Sequence, residues 1–206
     1  MKAAEWKKVV KPLMPADEDW QFRGSLCYRP PLHWFLFGVL GEGSGFDKGV
    51  YIWHVTMPLF IPTDVIDLSW SERIGGRARK YDNLDEEAPV TAIIAVFDAL
   101  GTEEDAVEQT AARGVRESRN RRVQEVVAYA RILTGDLAGA REALTLAEAG
   151  ITETPWGQEI VDRVELVRRL LDQKGHPAVV DQLDRWCGHT VGALGLRRSA
   201  APGRRA

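Results

Sequence analysis

The sequence predicts an α+β fold: an N-terminal helix and a four-stranded antiparallel meander, followed by an all-helical C-terminal half. Three observations carry that expectation. From about Glu86 the vocabulary shifts to Ala, Leu, Glu and Arg. Before that point most apolar residues recur at a period of two, and after it at helical spacing. Ten of the seventeen aromatic residues lie between Trp20 and Phe60, and aromatic and β-branched side chains favour a pleated, buried surface.

The elements follow in order. In AAEWKKVVKPL (3–13), Trp6, Val9, Val10 and Leu13 fall on one helical face, and Pro12 and Pro15 bring that helix to its end. In WQFRGSLCY (20–28), Trp20, Phe22, Leu26 and Tyr28 alternate with Gln21, Arg23, Ser25 and Cys27, which reads as one half-buried strand. LHWFLFGVL (32–40) is apolar on both faces. GEGSGFDKG (41–49) is a hairpin link into VYIWHVTMPLF, where Tyr51, Trp53, Val55, Met57 and Leu59 oppose Val50, Ile52, His54 and Thr56. DVIDLSW (64–70) alternates again and reads as the fourth strand.

GGRARKYDNLDEEAP (75–89) is polar and aperiodic, so it is read as a linker. Helical runs are predicted at roughly 87–100, 103–134, 137–149, 156–174 and 177–194, broken by Gly101-Thr102, Gly135-Asp136, 150–155 and 175–177. The expected division is a sheet domain at 1–80, a helical domain at 86–196 and a disordered tail at 197–206 with nothing to bury.

Bulk properties exclude several classes. At 206 residues the chain suits one domain or two small ones, and its formal net charge of −3 lacks the basic excess that non-specific nucleic-acid binding uses. Two cysteines, Cys27 and Cys187, make neither a disulfide framework nor a zinc site. The N-terminus has no apolar signal core, and no apolar run reaches the ~20 residues of a membrane span. The default compartment is therefore the cytoplasm.

Two stretches carry resemblances. YARILTGDLAGAREALTLAEAG places Ala128, Leu133, Gly135, Asp136, Ala140 and Leu144 at positions similar to the turn and small residues of tetratricopeptide-type hairpins. It lacks the aromatic and proline signature and any second copy, so one repeat-like hairpin is expected. GVYIWHVTMPLFIPTDVIDLSWSERIGG resembles a family of uncharacterised bacterial α+β proteins through Pro58, Leu59, Phe60, Pro62 and Arg73. The resemblance implies a fold and, through comparable small proteins encoded beside toxins, an immunity-type role.

Candidate chemistry is sparse. GEGSG (41–45) is followed by a β run rather than a helix, so it suits a hairpin better than a phosphate loop. His33 and His54 lie on the aromatic strands, where paired strands could bring them into one sheet region, with Cys27 as a nucleophile or with Asp47 or Glu42 as a metal site. No HxH, HExxH or CxxC spacing supports a metal. Arg73 ends a strand where a guanidinium could bridge to a carboxylate or a partner. The arginines of ARGVRESRNRRVQ (112–124) spread over more than one helical face, with Glu117 and Glu125 as intrahelical partners. The acidic triplets at 17–19, 85–87 and 103–105 suit caps and linkers.

The reading from sequence is a cytoplasmic, non-enzymatic protein-binding or adaptor protein, immunity-like or regulatory, without cofactor or metal. His33, His54 and Arg73 are the candidate binding residues, and the partner is a protein rather than a nucleic acid or a membrane. The rival is a small hydrolase or transferase with a pocket near His33, His54 and Cys27.

Overall fold

A computed structural model describes residues 2–16, 18–45, 48–75, 81–84, 86–114, 120–149 and 154–197. Helix α1 (Ala3–Val10) opens the chain and buries Trp6 and Val10. Its first turn is closed by the Glu5 carboxylate, which accepts the Lys2 backbone N–H at 3.0 Å. A single 3-10 turn (Lys11–Leu13) then leads to the sheet.

The sheet is a meander of five antiparallel strands in the order β1 (Gln21–Arg23), β2 (Leu26–Tyr28), β3 (Phe35–Gly43), β4 (Val50–Pro58) and β5 (Glu72–Arg73). There are two departures from the four strands of the sequence reading, and the first of them raises the count to five. The single strand expected over 20–28 is a tight hairpin, because Gly24 takes φ 60° and turns the chain between Arg23 and Leu26. The strand expected at 64–70 is instead a bend closed by a 3-10 turn (Leu68–Trp70), with Asp67 accepting the Ser69 N–H at 2.9 Å. The short side chains of Asp67 and Ser69 compete with the ladder for the backbone there, and pairing resumes only at Glu72.

Register sorts the side chains into rows. Phe22, Cys27, Val39, His54 and Glu72 stand in one cross-strand row. Arg23, Leu26, Leu40, Trp53 and Arg73 stand in the next. Neighbouring rows project to opposite faces. On the first face Cys27, Val39 and Ile52 form a core with Trp6, Val10 and Trp20, and with Ile93, Val96 and Phe97 of helix α2 (Glu87–Ala99). The second face buries Leu26, Tyr28, Leu36, Val55 and Met57, each at most 2% exposed within the single chain. Each such side chain contributes roughly 1.5–3 kcal/mol by leaving water. Residues 194–197 fasten onto this unit: Arg23 Nε donates to the Leu194 carbonyl and the Arg197 N–H donates to the Tyr28 hydroxyl.

Compactness therefore draws the boundary differently from the sequence. The first unit takes residues 1–59, 63–101 and 190–206, and the second takes 60–62 and 102–189. Helix α2 belongs with the sheet because its apolar face completes the sheet's core. The expected linker at 75–89 is likewise partly structure: Tyr81 bridges Val50 and is buried, and Glu87 to Pro89 open α2. Residues 76–80 and Asp85 of that stretch, and the tail beyond Arg197, lie outside the described residues.

The second unit holds α3 (Glu103–Ala111), α4 (Arg121–Leu133), α5 (Leu137–Glu148), α6 (Pro155–Lys174) and most of α7 (His176–Ala193). The run expected as one helix over 103–134 is two. The Asn120 side chain accepts the N–H groups of Arg122 and Val123 and starts α4 afresh. Arg113 and Gly114 precede the break, so the arginine stretch is not one continuous helix, and Arg116 and Arg119 lie outside the described residues. Helices α4 and α5 form the expected hairpin: Gly135 takes φ 82°, Asp136 accepts the Gly139 N–H, and Ala128, Ala140, Ala143 and Ala147 are buried. Arg131 secures it by donating to the carbonyls of Ala111, Arg113 and Gly139.

Candidate functional site

The register separates the sequence candidates. His54 is on the α2-covered face, opposite Val39 on β3 and Glu72 on β5. Arg73, one residue further, is on the other face, opposite Trp53. His33 lies ahead of β3, its ring 3.9 Å from that of Trp34. It is six residues before Val39, so on the order of 20 Å of extended chain separates it from the His54 row. These three side chains do not converge.

Cys27 and His54 share a row and a face but are two strands apart, with buried Val39 between them. Strand spacing makes that gap roughly 9–10 Å, beyond the reach of a hydrogen bond from thiol to imidazole. Burial also pushes the Cys27 thiol up to about 12, and its sulfur lies 3.7 Å from that of Met14. Such a thiol is a core group rather than a nucleophile. His54 is lowered from the ordinary imidazole value, by burial first and against the opposing charge of Glu72. Its Nε2 is buried without a hydrogen-bond partner among the described residues.

Arg73 organises a cluster that the sequence reading named only in part. Its guanidinium lies 4.1 Å from the centre of the Tyr51 ring and 4.5 Å from that of Trp53. The Glu42 carboxylate is 3.6 Å from one of its nitrogens and also accepts the Trp53 indole N–H at 2.8 Å. The β3–β4 hairpin builds this arrangement: Glu42 faces Tyr51 across the ladder, Tyr51 and Trp53 are two apart on one face, and β5 delivers Arg73 beside Trp53. The Arg73 side chain is 24% exposed and that of Glu42 45%, and both aromatics are half-buried. The cluster is thus a preformed, solvent-reachable patch of aromatic faces and opposite charges. The alternation of 50–59 identifies Tyr51 and Trp53 as face-mates, but adding Glu42 and Arg73 requires the register.

The second unit contains a different polar cluster, with its carboxylate fully buried. Glu125 is 0% exposed and receives Arg163 Nε at 2.6 Å, a second Arg163 nitrogen at 3.1 Å and the Tyr129 hydroxyl at 3.1 Å. Burial, then the Glu125 charge, hold the Tyr129 phenol well above its ordinary value. Burial opposes the charge on Arg163, but the bonds and charge of Glu125 outweigh it and raise the guanidinium. Phe60 and Trp186 enclose the Tyr129 ring at 6.2 and 5.8 Å. Glu125 is therefore not an exposed partner of its own helix's arginines. Its charged partner lies 38 residues away, and helical spacing could not reveal it.

Among the described residues no group of three or more His, Cys, Asp or Glu side chains is arranged to hold a metal ion. No described helix is long and apolar enough to cross a membrane. Comparison with protein-family models, with curated proteins and with solved structures finds no match.

Proposed function

We propose that this chain is a non-enzymatic binding protein, an adaptor of regulatory or immunity-like kind in the cytoplasm, whose contact surface is the patch of Glu42, Tyr51, Trp53 and Arg73. The observation that carries the reading is the Arg73 guanidinium stacked on two half-buried aromatic rings. Trp, Tyr and Arg dominate the few residues that supply most binding energy at protein interfaces. Holding them in place before contact reduces the side-chain entropy lost on binding. The sheet's edges favour contact through side chains rather than strand addition, since β1 and β5 are only three and two residues long. The rival enzyme reading draws less support, because Cys27 and His54 are two strands apart on one face and His33 lies beyond the end of β3.

The test is affinity capture with crosslinking from the native host, run in parallel with wild type and the variants Trp53→Ala and Arg73→Ala. A stoichiometric protein partner whose affinity falls about tenfold or more in each folded variant is the expected result. A partner held equally by both variants overturns the assignment of the surface. A partnerless chain overturns the binding reading itself.

A further inference from the structure

The patch carries two charges of opposite sign, and the register fixes their arrangement. Glu42 flanks Tyr51 from β3, and Arg73 flanks Trp53 from β5. The two half-buried rings, face-mates on β4, therefore stand between charges rooted at opposite corners of the patch. Among the described residues, the Glu42 carboxylate meets the Trp53 indole and Arg73 through Oε2 alone. Its Oε1 makes no bond there, and the side chain is 45% exposed. The 3.6 Å from carboxylate to guanidinium is also longer than the roughly 2.7–2.9 Å of a charge-assisted hydrogen bond.

Building on the reading of the patch as a binding surface, we propose that its occupant is a second copy of this chain, in a two-fold symmetric dimer. Charge balance carries the choice. A partner that is acidic at the point of contact gains from Arg73 and is repelled by Glu42, and a basic partner meets the reverse. Both charges are satisfied only by a surface with the opposite pair at the same spacing. A second copy supplies that surface by symmetry.

The two-fold axis lies in the plane of contact and crosses the line from Glu42 to Arg73 midway, at right angles. It sets each copy's Glu42 against the other copy's Arg73 and brings the Tyr51 and Trp53 rings of both copies together at the centre. The result has the self-complementary form of an isologous contact, with an aromatic centre and a charged rim. At that rim Oε1 of each Glu42 is the acceptor for the other copy's guanidinium. Two-fold dimers are also the commonest assembly of soluble chains. Four side chains from each copy make a small contact, so the dimer is weak, with an expected Kd of about 10–500 µM.

Sedimentation equilibrium of the full chain, from about 10 µM to about 1 mM, tests this without any other protein. Wild type should pass from monomer to dimer across that range, and less completely as salt is raised. Trp53→Ala, Glu42→Arg and Arg73→Glu, each checked for folding by circular dichroism, should weaken the dimer about tenfold or more. The milder Glu42→Gln and Arg73→Gln should weaken it in the same direction. Glu42→Arg combined with Arg73→Glu in one chain exchanges the ends of the pair and should recover the dimer. An equimolar mixture of the two single charge reversals should form a one-to-one complex that neither forms alone. A wild type still monomeric at about 1 mM overturns the proposal. So does a dimer that the charge variants keep, or one that the exchanged pair fails to recover. The capture experiment separates the two readings. With wild type monomeric, a different protein released by Trp53→Ala and Arg73→Ala overturns the second copy and leaves the binding surface standing. No partner of either kind overturns both.

Discussion

Single residues in the sheet are constrained by what lies one strand away. A Cβ added to Gly38 would run into the Cys27 carbonyl and the Tyr28 Cα of the neighbouring strand. These are backbone atoms that cannot yield without moving β2. Gly38→Ala should therefore destabilise the protein by about 1–3 kcal/mol or more, measured as a lower urea midpoint. Cys27 is a second case. With its thiol pushed up to about 12, only about one molecule in ten thousand carries a thiolate at pH 8. Cys27 and Cys187 are both buried and neither forms a disulfide. Neither should react with Ellman's reagent in the native protein, and both should react in denaturant. Rapid native labelling of Cys27 would mean that its row opens to solvent.

At the scale of elements, the buried Glu125–Arg163–Tyr129 cluster ties α4 to α6. Arg163→Met leaves the fully buried Glu125 carboxylate without its countercharge and should cost about 3–5 kcal/mol, while Glu125→Leu leaves Arg163 paired with Glu159 and should cost less. Replacing both with apolar residues should recover most of that loss, and a double-mutant cycle by chemical denaturation checks it. Tyr129 adds a dependence on alkali. Its phenol is held neutral in the folded state, so its contribution is full below the ordinary value of about 10 and is lost as the pH climbs above it. Tyr129 should remain silent in an ultraviolet titration until the protein unfolds. In Tyr129→Phe that silent step should be absent.

For the molecule as a whole, the unit partition predicts what a fragment can do. A piece ending at residue 80 contains every strand but lacks Ile93, Val96 and Phe97, which complete the sheet's core. It also lacks Leu194 and Arg197, whose backbone groups bond Arg23 and Tyr28. Such a fragment should fail to fold cooperatively, as read by circular dichroism and thermal melting. Cooperative melting of residues 1–80 alone would show that α2 and the returning C-terminal segment are dispensable.

The sequence by itself determined the class, the switch from period two to helical period near residue 86, the β3–β4 hairpin and the turn between α4 and α5. Each of these rests on local causes: side-chain alternation, Gly-containing turns and capping groups that act within a few residues. It also singled out Arg73, because a guanidinium at a strand end is visible without a fold. Only the tertiary structure decided that Arg73 lies on Tyr51 and Trp53, that His54 faces the other way, and that Cys27 is separated from it by Val39. A shift of one residue in register would exchange those faces, and register is set by the packing of both sheet faces together. The same holds for Glu125, whose exposed or buried fate depends on a guanidinium 38 residues away. Ladder register and long-range pairing are free-energy minima of the packed chain, and local spacing does not encode them.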